Sequence, residues 1–305
     1  MSLTPAAPLV TPHHAPRAPR RLIVNGDDFG LAGEVNRAIV RAHREGILTS
    51  TSLMVTAPAA VQAVALTRDL PRLSVGLHLV LVEGRSAQPA QAAPHLVTAD
   101  GSFRDNAIRA GLAYFFRPAL RREVRREVRA QLEAYRSTGL ELSHVDGHVN
   151  IHLHPHVQRV LAELAPEFGI RAIRLTRDPV MQNLAYDRRH SGRKIFEGTA
   201  FAILSAIAAR RFARLGIVSP DHLFGLHQTG ACDEAYVAHL LRTLPSGVSE
   251  LYCHPAEAQN EQMRRMMPGY EPARELAALT SSALRALADQ RGVELISYRD
   301  LTTGG

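Results

Sequence analysis

Tryptophan is absent from this sequence, and all aromatic residues together make up only 5% of it. The chain also lacks the interleaved aromatic and basic residues of RNA-binding sheets and the signature of a DNA recognition helix. Its formal net charge of +7 comes almost entirely from arginine, which a coding bias toward arginine explains without any partner. We therefore expect no nucleic acid to bind.

Cysteine is almost as rare, since Cys232 and Cys253 are too few for a disulfide framework, and a reducing compartment is predicted. The most apolar stretch, Thr199–Ala209, is shorter than the ~20 residues of a membrane span and predicts a buried or interfacial helix. Residues 1–20 are rich in proline and alanine and too polar for a secretory signal, which predicts a disordered tail before a single domain over 21–305. A cytoplasmic protein is predicted, with peripheral contact at the inner membrane and a homodimer as open alternatives.

No glycine-rich phosphate loop of the GxGxxG or GxxxxGK[ST] type occurs, which argues against a dinucleotide or P-loop site. Instead, short apolar runs alternate with helical patterns, and this alternation predicts an α/β fold with a parallel sheet. Strands are predicted at 21–25, 47–55, 73–79, 140–146, 170–175, 221–224, 250–253 and 293–297. Helices are predicted at 33–45, 58–69, 107–138, 155–165, 233–244 and 271–290, with 180–216 mostly helical.

Histidine is concentrated in residues 140–156, LELSHVDGHVNIHLHPH. Gly147 and Pro155 argue against one helix across this cluster, so it is predicted at the end of a strand and in the loop that follows. Imidazole and carboxylate ligands together suit a divalent ion such as Zn²⁺ or, with more oxygen ligands, Mg²⁺, and a catalytic site uses about three protein ligands. The candidates here are His144, Asp146, His148 and His152, whereas His154 and His156 are predicted to be solvated or capping residues.

Polar residues also follow other predicted strands. Asp27 and Asp28 come after the first, His78 lies near the end of the third, and His254 follows strand 250–253. Because parallel strands gather a site at their carboxyl ends, we expect these residues to converge on the histidine cluster. Adjacent carboxylates repel unless a cation or proton separates them, so one aspartate is predicted to bind metal and the other to act as a base. For His254, the prediction is a general acid.

Four motifs, in order, resemble the YdjC-type carbohydrate deacetylase family: VNGDDFGL, GLHL, HVDGHVNIHLHP and ELYCHP. The resemblance extends over roughly residues 21–300. Within the family, TSTSLMVTAPAA and VGLHLVLVEGR are similar to the hopanoid-biosynthesis-associated branch, HpnK. Gly26 departs from the alanine common at its position, and the branch commonly reads VNAH where this chain has VDGH at 145–148.

The resemblance implies an irregular, TIM-barrel-like (β/α) barrel of seven to eight strands and a metal-dependent hydrolase that removes the N-acetyl group of an amino sugar. One divalent ion, magnesium or zinc, would activate water for attack on the amide. For the hopanoid branch, the substrate would be N-acetylglucosamine carried on a hopanoid lipid. By motif position, the metal ligands would be Asp28, His78 and His148, the base Asp27 and the acid His254. Residues expected to support the ligands or contact the substrate are His144, Asp146, His152 and Arg174.

Two other functions stay open on the sequence alone. An amidohydrolase or phosphoesterase would use an HxH motif at a strand end, which His152-Leu153-His154 supplies, and would hold two ions. A non-catalytic sugar-binding protein would leave the two adjacent aspartates without a role. A serine nucleophile is disfavoured because no GxSxG motif occurs. His227, in GLHQTG, matches no motif of the family.

Overall fold

The computed structural model describes residues 18–303, so the predicted tail falls almost entirely outside the described residues. Seven strands and twelve α-helices make up this part of the chain, and the α/β class predicted from the apolar patterning is confirmed. The strands are β1 (Arg20–Phe29), β2 (Ser50–Leu53), β3 (Ser74–Leu79), β4 (Val145–Gly147), β5 (His222–Phe224), β6 (Gly247–Cys253) and β7 (Val293–Ile296). The helices are α1 (Gly33–Glu45), α2 (Ala60–Thr67), α3 (Ala107–Phe116), α4 (Pro118–Ser137), α5 (Pro155–Phe168), α6 (Val180–Tyr186), α7 (Ser191–Ala213), α8 (Glu234–Thr243), α9 (Glu261–Met266), α10 (Pro272–Leu279), α11 (Ser282–Gln290) and α12 (Tyr298–Thr303).

The sheet is wholly parallel and is built around β1. Six strands follow one another in the order β4-β3-β2-β1-β6-β5, and β7 pairs with β1 beside this path. The first half of β1, from Arg20 to Ile23, pairs with β7, whereas its second half pairs with β2 from Asn25 onward. Leu22, Ile23 and Val24 are fully buried, as expected for an apolar strand covered on both faces.

The predicted α/β fold with a parallel sheet is confirmed, and the predicted irregular barrel is more open than expected: the sheet is a curled half-barrel whose edge strands β4 and β5 do not pair within residues 18–303. The predicted strand 170–175 crosses this gap but makes only isolated bridges, from Ile173 to Val145 and from Ala172 to Val218. A tight turn stops it from continuing, because the Arg177 amide donates to the Leu175 carbonyl at 2.9 Å.

Two long predicted helices are each divided in two. The helix predicted over 107–138 breaks at Arg117, whose backbone is extended because Pro118 follows it, and Pro118 begins α4. The helix predicted over 271–290 breaks at Ser281, whose hydroxyl caps α11 by accepting from the Leu284 amide. The predicted strand 140–146 is also shorter, since regular pairing begins only at Val145.

Gly76, on β3, leaves the space that a buried histidine of the site region occupies. An added Cβ at Gly76 would lie 2.4 Å from the His144 ring, which stacks on Tyr298 with ring centroids 3.7 Å apart. Both rings are fully buried, so neither can move away. Gly76→Ala is therefore expected to lower the free energy of unfolding by about 1–3 kcal/mol in urea titrations.

The matched control is Gly192→Ala in α7. An added Cβ there would meet no atom within 4 Å, so this variant should be as stable as the parent chain or slightly more stable. Equal stability of the two variants would show that the His144 ring does not need the space above Gly76.

Candidate metal centre

The carboxyl ends of β1, β3 and β4 bring the predicted aspartates and histidines together. Asp27 and Asp28 lie near the end of β1, His78 near the end of β3, and His148 directly follows β4. Because these strands are parallel members of one sheet, with β2 between β1 and β3, their carboxyl ends share one edge of the sheet. The side chains converge there although 120 residues separate Asp28 from His148.

Asp28, His78 and His148 form the first group with the donor atoms of a metal site. His78 Nε2 and His148 Nδ1 each lie 3.2 Å from Asp28 Oδ1. The three ligand atoms lie within 4.8 Å of one another, and all three residues are buried. One carboxylate and two imidazoles are a common ligand set for a catalytic zinc ion.

Charge couples the members of this group. Burial raises the pKa of Asp28, but the imidazoles of His148 and His78 outweigh it and hold that pKa well below its usual range. Burial lowers the pKa of both histidines, yet the carboxylate of Asp146 beside His78, and that of Asp28 beside His148, raise them to about 10 and about 9. The group therefore attracts positive charge strongly, whether as protons or as a cation.

His78 is held from behind by Asp146. Its Nδ1 lies 2.8 Å from Asp146 Oδ1, which leaves Nε2 directed toward Asp28. A carboxylate on the far ring nitrogen fixes the tautomer and the orientation of a histidine ligand. Asp146 is therefore placed where it could support His78 as a ligand.

Arg174 lines the cavity of the site and is surrounded by three carboxylates. It donates two hydrogen bonds of 2.7 Å to Asp27, and its guanidinium lies 2.9 Å from Asp146 and 2.7 Å from Glu250. The side chain is 1% exposed and lies over the Tyr252 ring. These carboxylates raise the arginine pKa well above its usual value against the opposing effect of burial. Asp27, His78 and Asp146 form a second cluster of possible metal ligands. Arg174 already balances the negative charge of both its carboxylates, so this cluster has less need of a cation.

His254 lines the same cavity as the histidine ligands. Its amide donates to Glu275, and its ring makes edge contacts with Tyr252 and Tyr270, at centroid distances of 5.7 and 5.2 Å. The ring atom Nδ1 is buried and has no hydrogen-bond partner within residues 18–303. His254 therefore has a nitrogen free for a proton transfer.

The remaining histidines of the cluster do not reach the ligand atoms. His144 stacks on Tyr298, and burial lowers its pKa to about 3. His152 Nε2 lies 3.0 Å from the Arg174 carbonyl, whereas His154 Nε2 lies 3.1 Å from the Gly111 carbonyl of α3. His152 and His154 thus have separate surroundings and do not form the HxH site of a two-ion hydrolase.

Backbone strain is concentrated at the same place. Five non-glycine residues in the described part of the chain have positive φ, and four of them line the cavity of about 240 Å³ above the ligands. They are Asp28, Glu83, Val149 and Asn150. A β-branched residue such as Val149, at φ 47°, is an outlier in this region, and such strain collects at functional sites.

Unpartnered polar atoms show that the residues present fit a metal ion. Asp28 Oδ2, His78 Nε2 and His148 Nε2 are buried and make no hydrogen bond within the described residues. A buried polar atom without a partner costs about 1–3 kcal/mol, and each of these three residues also offers one ligand atom within 4.8 Å of the others, so a single partner could contact all three residues. A divalent cation meets this need, and Asp28, His78 and His148 would hold it.

Comparison with models of known protein families shows which family this chain belongs to. The model described as YdjC-like protein matches residues 21–290. The chain belongs to the YdjC-like family. The family resemblance seen in the four motifs is thereby confirmed, and the match includes every residue of the metal centre.

Relatives of this YdjC-like chain match it over nearly their full length. A carbohydrate deacetylase of Geobacillus stearothermophilus is 32% identical over 284 residues, which cover 92% of this chain and 98% of the relative. A chitooligosaccharide deacetylase of Salmonella paratyphi B is 30% identical over 301 residues, covering 92% and 99%. The prediction of an enzyme in a deacetylase family is confirmed by these relatives.

A solved structure shares the fold. A protein of Enterococcus faecalis V583, described as a cellobiose-phosphate cleavage protein, superposes with a TM-score of 0.71 at 26% identity. The match covers 94% of this YdjC-like chain and 100% of that protein. The two chains therefore share one fold over nearly their full length.

Several residues of the site were missed from sequence. Asn25 donates to Asp27 at 2.8 Å and to Ser52 at 3.1 Å, and Ser52 lies 3.2 Å from His78 Nδ1. The strand-end argument that selected His78 applies equally to Ser52 on β2 and could have found it. Glu83, 3.6 Å from His148 Nε2, lies in a loop whose sequence carries no such signal.

Zinc binding to the metal-free protein is expected to release protons. The pKa values of about 10 for His78 and about 9 for His148 mean that both rings carry a proton near pH 7 and must lose it to bind. Affinity should therefore rise as pH increases from 6 to 9. Titration calorimetry in two buffers of different ionisation enthalpy measures the protons released, and an affinity independent of pH would contradict this charge assignment.

Proposed function

We propose that this protein hydrolyses the N-acetyl group of an N-acetylated amino sugar, with one divalent ion held by Asp28, His78 and His148. The observation that carries the proposal is the buried ligand group beside Asp27 and His254 at one sheet edge. Relatives named carbohydrate deacetylase and chitooligosaccharide deacetylase support the substrate class. Two imidazoles among three ligands favour zinc over magnesium, which prefers oxygen ligands.

Asp27 is the proposed general base. When bound, the cation polarises the acetyl carbonyl and lowers the pKa of a nearby water molecule. Asp27 takes the proton of that water at Oδ2, which accepts a bond only from Arg174, whereas Oδ1 also accepts one from Asn25. A carboxylate oxygen accepts at two lone pairs, so Oδ2 keeps one for the transfer. Arg174 fixes the direction in which that lone pair points.

His254 is the proposed general acid. His254 lines the cavity, and its Nδ1 has no partner in the described chain, so the imidazole can carry a proton for the departing sugar amine. The rings of Tyr252 and Tyr270 restrict the rotation of the imidazole. Asp27 and His254 thus give the site separate proton acceptor and donor groups.

The finer proposal concerns the acetylated molecule itself. The stretches TSTSLMVTAPAA and VGLHLVLVEGR support the hopanoid branch, and so N-acetylglucosamine on a hopanoid lipid. The competing substrate is a soluble chitooligosaccharide, as in the name of the Salmonella relative. The cavity adjoins helix α7 at Phe201, an apolar contact that suits an amphiphilic substrate.

Acetate release tests the proposal. The zinc-loaded protein is incubated with chitobiose, longer chitooligosaccharides and an N-acetylglucosamine glycolipid, and acetate is measured with a coupled assay. Release from any of them supports deacetylation, and the preferred substrate decides the finer proposal. Binding of all three without acetate would favour a non-catalytic sugar-binding protein instead. Two bound ions per chain would favour an amidohydrolase or phosphoesterase.

A further inference from the structure

Exposed apolar side chains are concentrated on three helices and one loop residue near the metal centre. Fourteen large apolar residues are exposed in the described part of the chain, and eleven of them lie on α3, α6, α7 and the residue Val149. On α3 these are Ile108, Leu112, Phe115 and Phe116. On α7 they are Ile195, Phe196, Ile203 and Ile207, and on α6 they are Met181 and Tyr186.

The spacing shows that these residues form stripes rather than scattered exposures. The four on α3 recur at intervals of three or four residues, which places them on one face of the helix. On α7, Phe196 and Ile203 are seven residues apart and Ile203 and Ile207 are four apart. These spacings of about two turns and one turn place all three on one face of the helix. Single exposed apolar residues are normal, but a stripe of them along one helix face marks an interaction surface. We call the exposed faces of α3, α6 and α7 together with Val149 the apolar rim.

The apolar rim borders the cavity of the metal centre. Helices α3 and α7 both contact the 3₁₀ segment His148–Leu153, which begins with a proposed metal ligand and contains Val149. Helix α3 is also tied to the end of this segment by the bond between His154 and the Gly111 carbonyl. From α7, Arg193, Glu197 and Phe201 line the cavity itself.

Arginine surrounds the apolar rim. Residues 104–122 contain five arginines and one acidic residue, and residues 186–216 contain seven basic and two acidic residues. The excess of nine positive charges in these two segments is larger than the net charge of +7 of the whole chain. The remaining residues are therefore slightly acidic, and the basic character predicted to be a mere coding bias is localised around the rim.

These arginines are mostly free to meet a partner. Ten of them are exposed, and only Arg189 and Arg193 form salt bridges within the described residues. A second copy of the chain is a poor occupant, because a symmetric contact would bring the two sets of arginines together. The partner must offer both an apolar layer and negative charge.

We propose that the apolar rim docks on an anionic lipid bilayer. Its phenylalanine, isoleucine and leucine side chains enter the headgroup region, and the surrounding arginines contact lipid phosphates. Docking by α3 and α7 brings the cavity of the metal centre next to the bilayer surface. The surface is independent of the proposed deacetylation, since its residues are not metal ligands or proton-transfer groups.

Vesicle flotation tests this docking. The full-length protein is mixed with vesicles of phosphatidylcholine alone or with phosphatidylglycerol, at low and high salt. We expect binding to the anionic vesicles that weakens with salt, by about fivefold for each arginine contact that is lost. Phe116→Glu and Phe196→Glu, at positions 68% and 75% exposed, should each weaken binding by about tenfold or more.

Val61→Glu is the matched control, because Val61 is 86% exposed on α2 and lies outside the rim. It should bind like the parent chain, and circular dichroism melts should show that all three variants remain folded. Absence of binding to anionic vesicles would overturn the proposal. An equal loss of vesicle binding in Val61→Glu and in the two rim variants would also overturn it. A dimer in sedimentation that the rim variants abolish, without vesicle binding, would assign the surface to self-association instead.

Discussion

Asp27→Asn is expected to lower kcat for deacetylation by about a thousandfold while the metal ion stays bound. The substitution keeps the shape of the side chain but removes the carboxylate that we propose accepts the proton, a contribution of about 10²–10⁴ in rate. Asp28, His78 and His148 are unchanged, so zinc content by atomic absorption should match that of the parent chain. Acetate release at saturating substrate measures the loss.

Asp28→Asn is the paired control. It alters the neighbouring aspartate, which lies 3.2 Å from both histidines of the metal group, and should lose zinc together with activity. The two variants thus separate proton transfer from metal binding at adjacent positions. Near-parental kcat in Asp27→Asn would rule out Asp27 as the base, and retained zinc in Asp28→Asn would rule out Asp28 as a ligand.

Arg174→Met is expected to destabilise the metal-free protein by about 3–5 kcal/mol near pH 8. The arginine lies within 3 Å of Asp27, Asp146 and Glu250, and its loss leaves buried carboxylates without a counter-charge. Urea unfolding in the presence of a chelator measures this change without a contribution from bound ion.

The loss of stability caused by Arg174→Met should become smaller as pH falls, because the carboxylates around the arginine become protonated. Burial raises the pKa of Asp146, but Arg174 and the histidines hold it well below its usual range, so it stabilises the fold above its unfolded pKa of about 4. Without the arginine, this carboxylate loses its principal counter-charge, and protonation relieves the repulsion. The pKa of Glu250 is already raised to about 7 by burial, so this group protonates first. The variant should therefore approach the parent stability toward pH 5.

Arg171→Met provides the matched control for this experiment. Arg171 lies three residues away and pairs with Glu141, but its side chain is 58% exposed. Because solvent screens such a pair, its removal should change stability by less than about 0.5 kcal/mol at either pH. Similar losses in the two variants would mean that the carboxylates around Arg174 relax without it.

Local patterning predicted much of the secondary structure. Helix α1 has the predicted bounds, and the predicted strands 221–224 and 293–297 correspond to β5 and β7. The strand predicted at 170–175 is wrong because a strand needs continuous hydrogen bonding to a neighbour. This segment makes only isolated bridges before the turn at Leu175–Arg177 ends it. The helix break before Pro118 follows from local sterics and was available in the sequence.

The sequence by itself determined the chemistry at the strand ends. Periodicity places residues on elements through contacts between near neighbours, so Asp27, Asp28 and His78 could be assigned to strand ends without knowing their partners. The same reasoning left four candidate ligands within residues 140–156, because density along the chain was the only measure of proximity.

Only the tertiary structure decided which histidine of that cluster lies near the other proposed ligands. His148 turns to Asp28 and His78, His144 stacks on Tyr298, and His154 bonds to α3, because strand order and register decide which distant groups face each residue. The same holds for Arg174, whose three carboxylate partners come from β1, β4 and β6. These pairings depend on how separate elements pack, and no local pattern along the chain encodes them.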